Sequence, residues 1–269
     1  MWVAQGPRRI VCLTEETTEF LYALGEEERI VGISAYTLRP PEAKRTRPVV
    51  SAFVGGSVER ILALKPDLVI GFSDVQADWA RTLIHAGLQV LIFNQRSLQE
   101  IFEALLVVGR IVAAEERSRV LLGTYAAHLE SIARRRAGAA WRPKVYFEEW
   151  DEPMATCVQW VSELIEIAGG HALFADRSRC PAFKDRHVSP EEVAVAAPDV
   201  ILASWCGKPF DEHALRDRLS ATIPALARGH VHEVDAAIIL QPGPAALTDG
   251  VSTIAALLDQ ASLERPSPS

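Results

Sequence analysis

The sequence predicts two similar α/β lobes joined by one long helix, on three observations. The chain repeats itself, strands alternate with helices in each half, and a long helix-forming stretch lies between the halves. The repeat is clearest where Glu59-Arg60-Ile61-Leu62-Ala63-Leu64-Lys65-Pro66-Asp67-Leu68-Val69-Ile70 matches Glu191-Glu192-Val193-Ala194-Val195-Ala196-Ala197-Pro198-Asp199-Val200-Ile201-Leu202. In both copies a glutamate opens a short helix, apolar residues recur at helical spacing, Pro-Asp stops the helix, and a buried strand follows.

The elements before each copy also correspond. Ile10-Val11-Cys12-Leu13 reads as a strand followed by a helix through Glu19 to Leu24, and Val145-Tyr146-Phe147 is followed by a helix through Glu163 to Ala168. Gly25 and Gly169-Gly170 supply the left-handed stops. Ile30 to Ser34 is a strand that the second half shows only weakly, whereas Val90-Leu91-Ile92-Phe93 and His230 to Val234 match again. Between the halves, Leu98 to about Arg136 is helix-forming, with Ile101, Leu105, Val108, Ile111 and Val112 as its apolar stripe. Gly109 and Ala113-Ala114-Glu115 suggest a break there. The expected division is an N-terminal lobe over 1–113, a connecting helix over 114–140 and a C-terminal lobe over 141–269.

Composition narrows the function. With 269 residues, 49% of them hydrophobic, each half has enough apolar material for a core. A formal charge of −7 argues against a nucleic-acid surface, which needs clustered Lys and Arg. The run Arg134-Arg135-Arg136 reads as a helix end meeting the negative end of the dipole. Cys12, Cys157, Cys180 and Cys206 form no CxxC pair, so neither a zinc knuckle nor a dithiol motif is visible. His171, Cys180 and His187 lie close in sequence but without ligand spacing, so no metal is expected. No GxSxG, Walker, GxGxxG or HExxH pattern is present, and no enzyme activity is expected. The beginning, Met1-Trp2-Val3-Ala4, lacks an apolar leader, so the chain as written is expected to be cytoplasmic, or periplasmic if a leader has been removed.

Through Ser57-Val58-Glu59-Arg60-Ile61 with Lys65-Pro66-Asp67, and Val188-Ser189-Pro190-Glu191-Glu192-Val193 with Pro198-Asp199, the chain resembles the helix-linked (class III) solute-binding proteins of ABC importers. This group carries cobalamin, haem and ferric siderophores. Ile33-Ser34-Ala35-Tyr36 with Arg39-Pro40-Pro41-Glu42-Ala43 makes it most similar to the cobalamin-binding members. The resemblance implies a monomer that captures a bulky ligand, here cobalamin or a related corrinoid, in the cleft between the lobes, with no required cofactor. It also implies an ABC-importer permease dimer as partner, onto which Glu59 and Glu191 dock. The alternative for those two residues is that they are acids favoured by a helix N-terminus. A leaderless cytosolic relative acting as an enzyme or ligand-handling protein is the competing reading of the whole chain.

In a parallel sheet, ligand groups collect at the carboxyl ends of strands. The residues expected to meet ligand there are Glu15, Tyr36, Phe53, Phe72, Asp74 and Arg96 in the first half, and Glu149, Trp150, Asp151, Trp205, Lys208 and Gln241 in the second. The resemblance puts Tyr36, Phe53 and Phe72 at ligand-facing walls, with Trp150 and Trp205 opposite. Each of these rings has an ordinary core role as its alternative. Glu149 or Asp151 would accept from amide or amine groups, and Arg96 and Lys208 would meet a phosphate or carboxylate.

Overall fold

A computed structural model describes residues 6–139 and 141–263. The first five residues, on which the reading of the N-terminus rests, lie outside the described residues. Ten strands are ordered β1 Ile10–Cys12, β2 Ile30–Ser34, β3 Val49–Ser51, β4 Leu68–Phe72, β5 Val90–Phe93, β6 Lys144–Asp151, β7 Met154–Thr156, β8 His171–Ala172, β9 Val200–Ala203 and β10 Val231–Glu233. Thirteen α-helices are found among the described residues. The first six are α1 Glu15–Ala23, α2 Pro41–Thr46, α3 Val58–Ala63, α4 Ala77–His85, α5 Leu98–Ile111 and α6 Glu115–Arg136. The rest are α7 Gln159–Ile167, α8 Ala175–Ser178, α9 Pro190–Ala196, α10 Glu212–Arg218, α11 Pro224–Arg228, α12 Ala236–Ile239 and α13 Val251–Leu263. The fold class is α/β, with two sheet-centred units and the long helix α6 running from one unit into the other.

The first unit comprises Met1–Thr124 together with Pro242–Pro244. Its sheet has the order β3-β2-β1-β4-β5 and is parallel throughout. All five carboxyl ends therefore lie along one edge. Val11, Leu13, Val50, Ile61, Val69 and Leu83 form a buried cluster on this sheet.

The second unit comprises Tyr125–Gln241 and Ala245–Ser269. Its sheet runs β10-β9-β6-β7, with the short β8 pairing the start of β6. β7 is antiparallel to β6, and β8, β9 and β10 pair in parallel. The sequence reads Val145-Tyr146-Phe147 as a strand. In the structure β6 continues to Asp151 and turns back into β7. Carboxylates disfavour a buried strand unless they are partnered, and the partners, described below, come from distant helices.

The repeat has a structural meaning beyond its hydrophobic pattern. Ser57 caps α3 by accepting from the Arg60 N–H at 3.2 Å, and Ser189 caps α9 by accepting from the Glu192 N–H at the same distance. The residues before the two prolines, Lys65 and Ala197, both turn left-handed, with φ of 47° and 50°. Asp67 then clamps the entry to β1, accepting from the Arg8 and Arg9 N–H groups at 2.7 and 2.9 Å while its own N–H donates to the Arg9 carbonyl. Asp199 clamps β6 in the same way, accepting from the Lys144 N–H at 2.9 Å and donating to the Lys144 carbonyl. Pro-Asp thus ends a helix and also ties its strand to the central strand. The helix ends match too. Gly25 N–H donates to Tyr22 O and Glu26 N–H to Leu21 O, as Gly169 N–H does to Glu166 O and Gly170 N–H to Ile165 O.

The break between α5 and α6 falls at Val112 to Ala114, where Ala113 has φ of 59°. Gly109 is not part of it. It lies inside α5, where a Cβ would stand 1.7 Å from Ser118 Oγ, so the glycine lets α5 and the first turn of α6 pack closely.

The two clamps predict unequal losses. Asp67 carries two backbone N–H groups and Asp199 one, and each hydrogen bond to a charged acceptor contributes on the order of 1 to 2 kcal/mol. In urea denaturation followed by circular dichroism, Asp67→Ala should destabilise more than Asp199→Ala, and equal or negligible losses would refute the clamp.

Candidate functional site

Each unit holds two adjacent glutamates at low exposure, Glu15 and Glu16 just after β1 and Glu148 and Glu149 within β6, and the two pairs are handled differently. In the first unit β1 leads through Leu13 and Thr14 into α1, whose first residues are Glu15 and Glu16, 1% and 2% exposed. One Glu15 oxygen accepts from the Leu38 N–H, which ties α1 to the connection after β2. One Glu16 oxygen accepts from Thr14 Oγ1 at 2.5 Å. The other oxygen of each, Glu15 Oε1 and Glu16 Oε2, is buried without a hydrogen-bond partner. Burial raises both acids to about 7. The Leu38 N–H works against it at Glu15 and the Thr14 hydroxyl at Glu16, and the charge of Glu19 adds to the rise at both. Glu19 itself pairs with Arg39 at 2.9 Å.

The buried segment Pro242-Gly243-Pro244 lies against this pair. A Cβ on Gly243 would stand 2.4 Å from Glu16 Cβ, and Gln95 Nε2 donates to the Pro242 carbonyl at 3.3 Å. Gln241, expected to meet ligand, is half-buried just before this segment.

Around the same sheet edge, Tyr36 is 52% exposed on the connection after β2. Phe53 is half-buried and Phe72 is buried, and Gln76 links their backbones. Its Oε1 accepts from the Phe72 N–H at 3.0 Å and its Nε2 donates to the Phe53 carbonyl at 2.6 Å. Arg96 donates to Asp74 at 2.7 Å and to Asn94 Oδ1 at 3.0 Å, so its charge is answered inside the unit.

In the second unit arginines compensate the buried acids. Glu148 is fully buried, and its Oε1 accepts from Trp205 Nε1 at 3.0 Å and Arg218 Nη2 at 2.8 Å. Its Oε2 accepts from the Tyr146 hydroxyl at 3.2 Å. Glu149, expected to bind ligand, has another task. Both its oxygens take Arg186, at 2.7 and 3.0 Å, and Oε2 also accepts from the Val158 N–H.

Above this pair the aromatic residues come together. Trp205, 4% exposed, packs edge-on against Phe210 with centroids 5.1 Å apart. The turn Trp205-Cys206-Gly207-Lys208, with Gly207 at φ of 78°, folds Lys208 back between two indoles. Its Nζ lies 4.7 Å from the Trp150 ring centroid and 4.9 Å from that of Trp205, and 2.5 Å from Asp151 Oδ1. Burial pushes the Asp151 carboxyl up, and the bond and charge of Lys208 outweigh it, so the net shift is downward.

Trp150, Asp151, Trp205 and Lys208 therefore form one cluster. Glu15 joins the Leu38 connection, Phe53 joins Phe72, and Asp74 joins Arg96. Glu59 and Glu191 occupy the first turns of the two matched helices. Both carboxyls are held below the usual range, Glu59 by its own backbone N–H and Ser57, Glu191 by Ser189 and its own backbone N–H. Sequence reading did not select Glu16, Gln76, Gln95, Arg186 or Arg218. Glu16 and Gln95 stand just after strands, where position marks them as facing the ligand edge but does not single them out from their neighbours. Arg218 is 70 residues from Glu148 and nothing local points to it. Among the described residues no group of three or more His, Cys, Asp or Glu side chains could hold a metal ion, and no helix is long and apolar enough to cross a membrane.

Comparison with known proteins agrees with this architecture. The periplasmic binding protein family model matches residues 10–238. The vitamin B12-binding protein of Yersinia pestis (strain Pestoides F) is 30% identical over 212 residues, covering 77% of this chain and 73% of its own. Among solved structures, the periplasmic vitamin B12 binding protein BtuF of Vibrio cholerae aligns with a TM-score of 0.75 at 25% identity, over 96% of this chain and 99% of its own. The periplasmic haem-binding protein RhuT from Roseiflexus sp. RS-1 aligns with 0.77 at 25% identity, over 95% and 100%. The chain belongs to the periplasmic binding protein family. It is a solute-binding protein and not an enzyme.

Two measurements probe the buried acids. The folded pKa of Glu16 is raised from 4.5 to about 7, so its contribution is intact below 4.5, is lost as the unfolded chain ionises, and levels off above 7. Glu16→Gln should therefore leave stability unchanged at pH 4 and raise it by on the order of 2 to 3 kcal/mol at pH 8. A pH-independent difference in urea midpoint would contradict this. Arg218→Met strands the Glu148 carboxylate and should cost roughly 3 kcal/mol or more at pH 7, read from the same denaturation curves.

Proposed function

We propose that the solute is cobalamin or a related corrinoid and that the chain delivers it to an ABC-importer permease dimer. The observation that carries the ligand class is the aromatic cluster at the strand ends, where Trp150 and Trp205 present indole surface beside the ion pair of Lys208 and Asp151. In the first unit, exposed Tyr36 and half-buried Phe53 offer apolar surface of the same kind. An aromatic side chain buries about 150 to 250 Å², so a few such contacts supply the apolar part of an affinity in the micromolar to nanomolar range. The names of the relatives at 30% identity support a corrinoid over haem.

Glu59 and Glu191 support the delivery step. They stand fully exposed at the starts of two helices that share cap, Pro-Asp clamp and following strand, and both are held ionised. Two equivalent carboxylates suit a partner built from two equivalent subunits.

Cyanocobalamin and haem, added separately, should separate the readings. Cyanocobalamin should quench tryptophan emission and raise the melting temperature, and a response to haem alone, or to neither, would overturn the corrinoid reading. Tyr36→Ala and Trp150→Phe should weaken cyanocobalamin binding several-fold without lowering the melting temperature, since neither ring is fully buried. Unchanged affinity would remove them from the site.

A further inference from the structure

Among the buried acceptor atoms of the first unit without a hydrogen-bond partner are Glu15 Oε1, Glu16 Oε2 and Gln95 Oε1. Gln95 is 95% buried, its exposure being 5%, and its amide nitrogen donates to Pro242 while the next residue, Gly243, packs on Glu16. Glu16 and Gln95 therefore share one short segment of chain, and Glu15 is the neighbour of Glu16 in the first turn of α1. Leaving a buried acceptor unpaired costs roughly 1 to 3 kcal/mol and more for a charge, so three together are not a neutral feature of packing. The second unit shows how the same fold handles buried glutamates when they serve structure. Glu148 and Glu149 are answered by Arg218 and Arg186.

We propose that Glu15, Glu16 and Gln95 form an acceptor subsite, walled by Pro242-Gly243-Pro244, that takes N–H donor groups of the solute, primary amides or protonated amines, and rejects carboxylates. The proposal rests on the corrinoid reading for its solute, since a corrin ring carries primary amides around its rim. Gly243 packs directly on Glu16, so the segment forms one wall of the subsite. A site built to accept hydrogen bonds discriminates strongly against a solute that lacks the donor, because its own buried groups then stay unpaired. A carboxylate there would add charge repulsion.

The subsite also sets a pH dependence. The charged or titratable groups facing it are Glu19 on α1, ion-paired with Arg39 of the connection after β2, and Cys12 on β1. Pro242-Gly243-Pro244 contributes none. An N–H donor favours the ionised acids, so binding releases protons and tightens as pH rises from 6 to 8.

Calorimetric titration with cyanocobalamin and with each of its monocarboxylate hydrolysis products, at pH 6 and pH 8, tests this on the full chain and on a Glu15→Gln, Glu16→Gln double variant. The wild type should bind cyanocobalamin at least about tenfold tighter than one of the monocarboxylates at pH 8, and the double variant should reduce that gap to roughly threefold or less. Equal affinities in the wild type, or an unchanged gap in the variant, would overturn the subsite. If no corrinoid binds, the solute assignment falls and methylammonium chloride decides the subsite. At pH 8 it should raise the melting temperature of the wild type above that in equal sodium chloride and leave the double variant unmoved. No rise in the wild type would overturn the proposal.

Discussion

Desolvated carboxylates at the end of the first strand govern both units. A parallel sheet brings its strand ends to one edge, where side chains are buried by the connections that cross it. Glutamates there must find donors, change protonation, or leave acceptors unpaired. The second unit finds donors. Glu148 draws in Arg218, Trp205 and Tyr146, and Glu149 draws in Arg186, so two helical segments and the β9 connection are held by one pair of acids. The first unit leaves Glu15 and Glu16 to backbone N–H and hydroxyl donors, and there the acids move toward neutrality instead.

The consequence reaches the functional residues. Trp205 is oriented by its bond to Glu148, and the turn that follows carries Lys208 back over both indoles. Without the buried carboxylate the indole nitrogen would need another acceptor, and the Trp150–Lys208–Trp205 stack would lose one wall. The surface offered to a solute is thus an outcome of how the acid beneath it is satisfied. In the first unit the corresponding acids leave acceptors open, and the chemistry on offer is hydrogen bonding more than apolar contact.

Membership of the periplasmic binding protein family gives these differences a setting. Two units built on the same plan share their caps, glycine stops and aspartate clamps, which are all parts of the scaffold. They differ at the strand ends, where one presents ion-paired indoles and the other unpaired acceptors.

The sequence by itself determined the repeat, the helix starts and stops, the long α6 and the parallel strands, because each depends on residues within a few positions of one another. Ser57 and Ser189 find their partners three residues on, and Gly25 and Gly169 end their helices by conformation alone. It also located the strand ends, near which most of the candidate residues stand. Tertiary structure decided what those residues do. Glu149 meets Arg186 across 37 positions, Glu148 meets Arg218 across 70, and Gln95 meets Pro242 across 147. No local pattern encodes such pairings, and they decide whether an acid at a strand end serves the fold or remains open to a ligand. The extension of β6 through Glu148 to Asp151 has the same origin, since a carboxylate joins a buried strand only where a distant cation makes its burial tolerable.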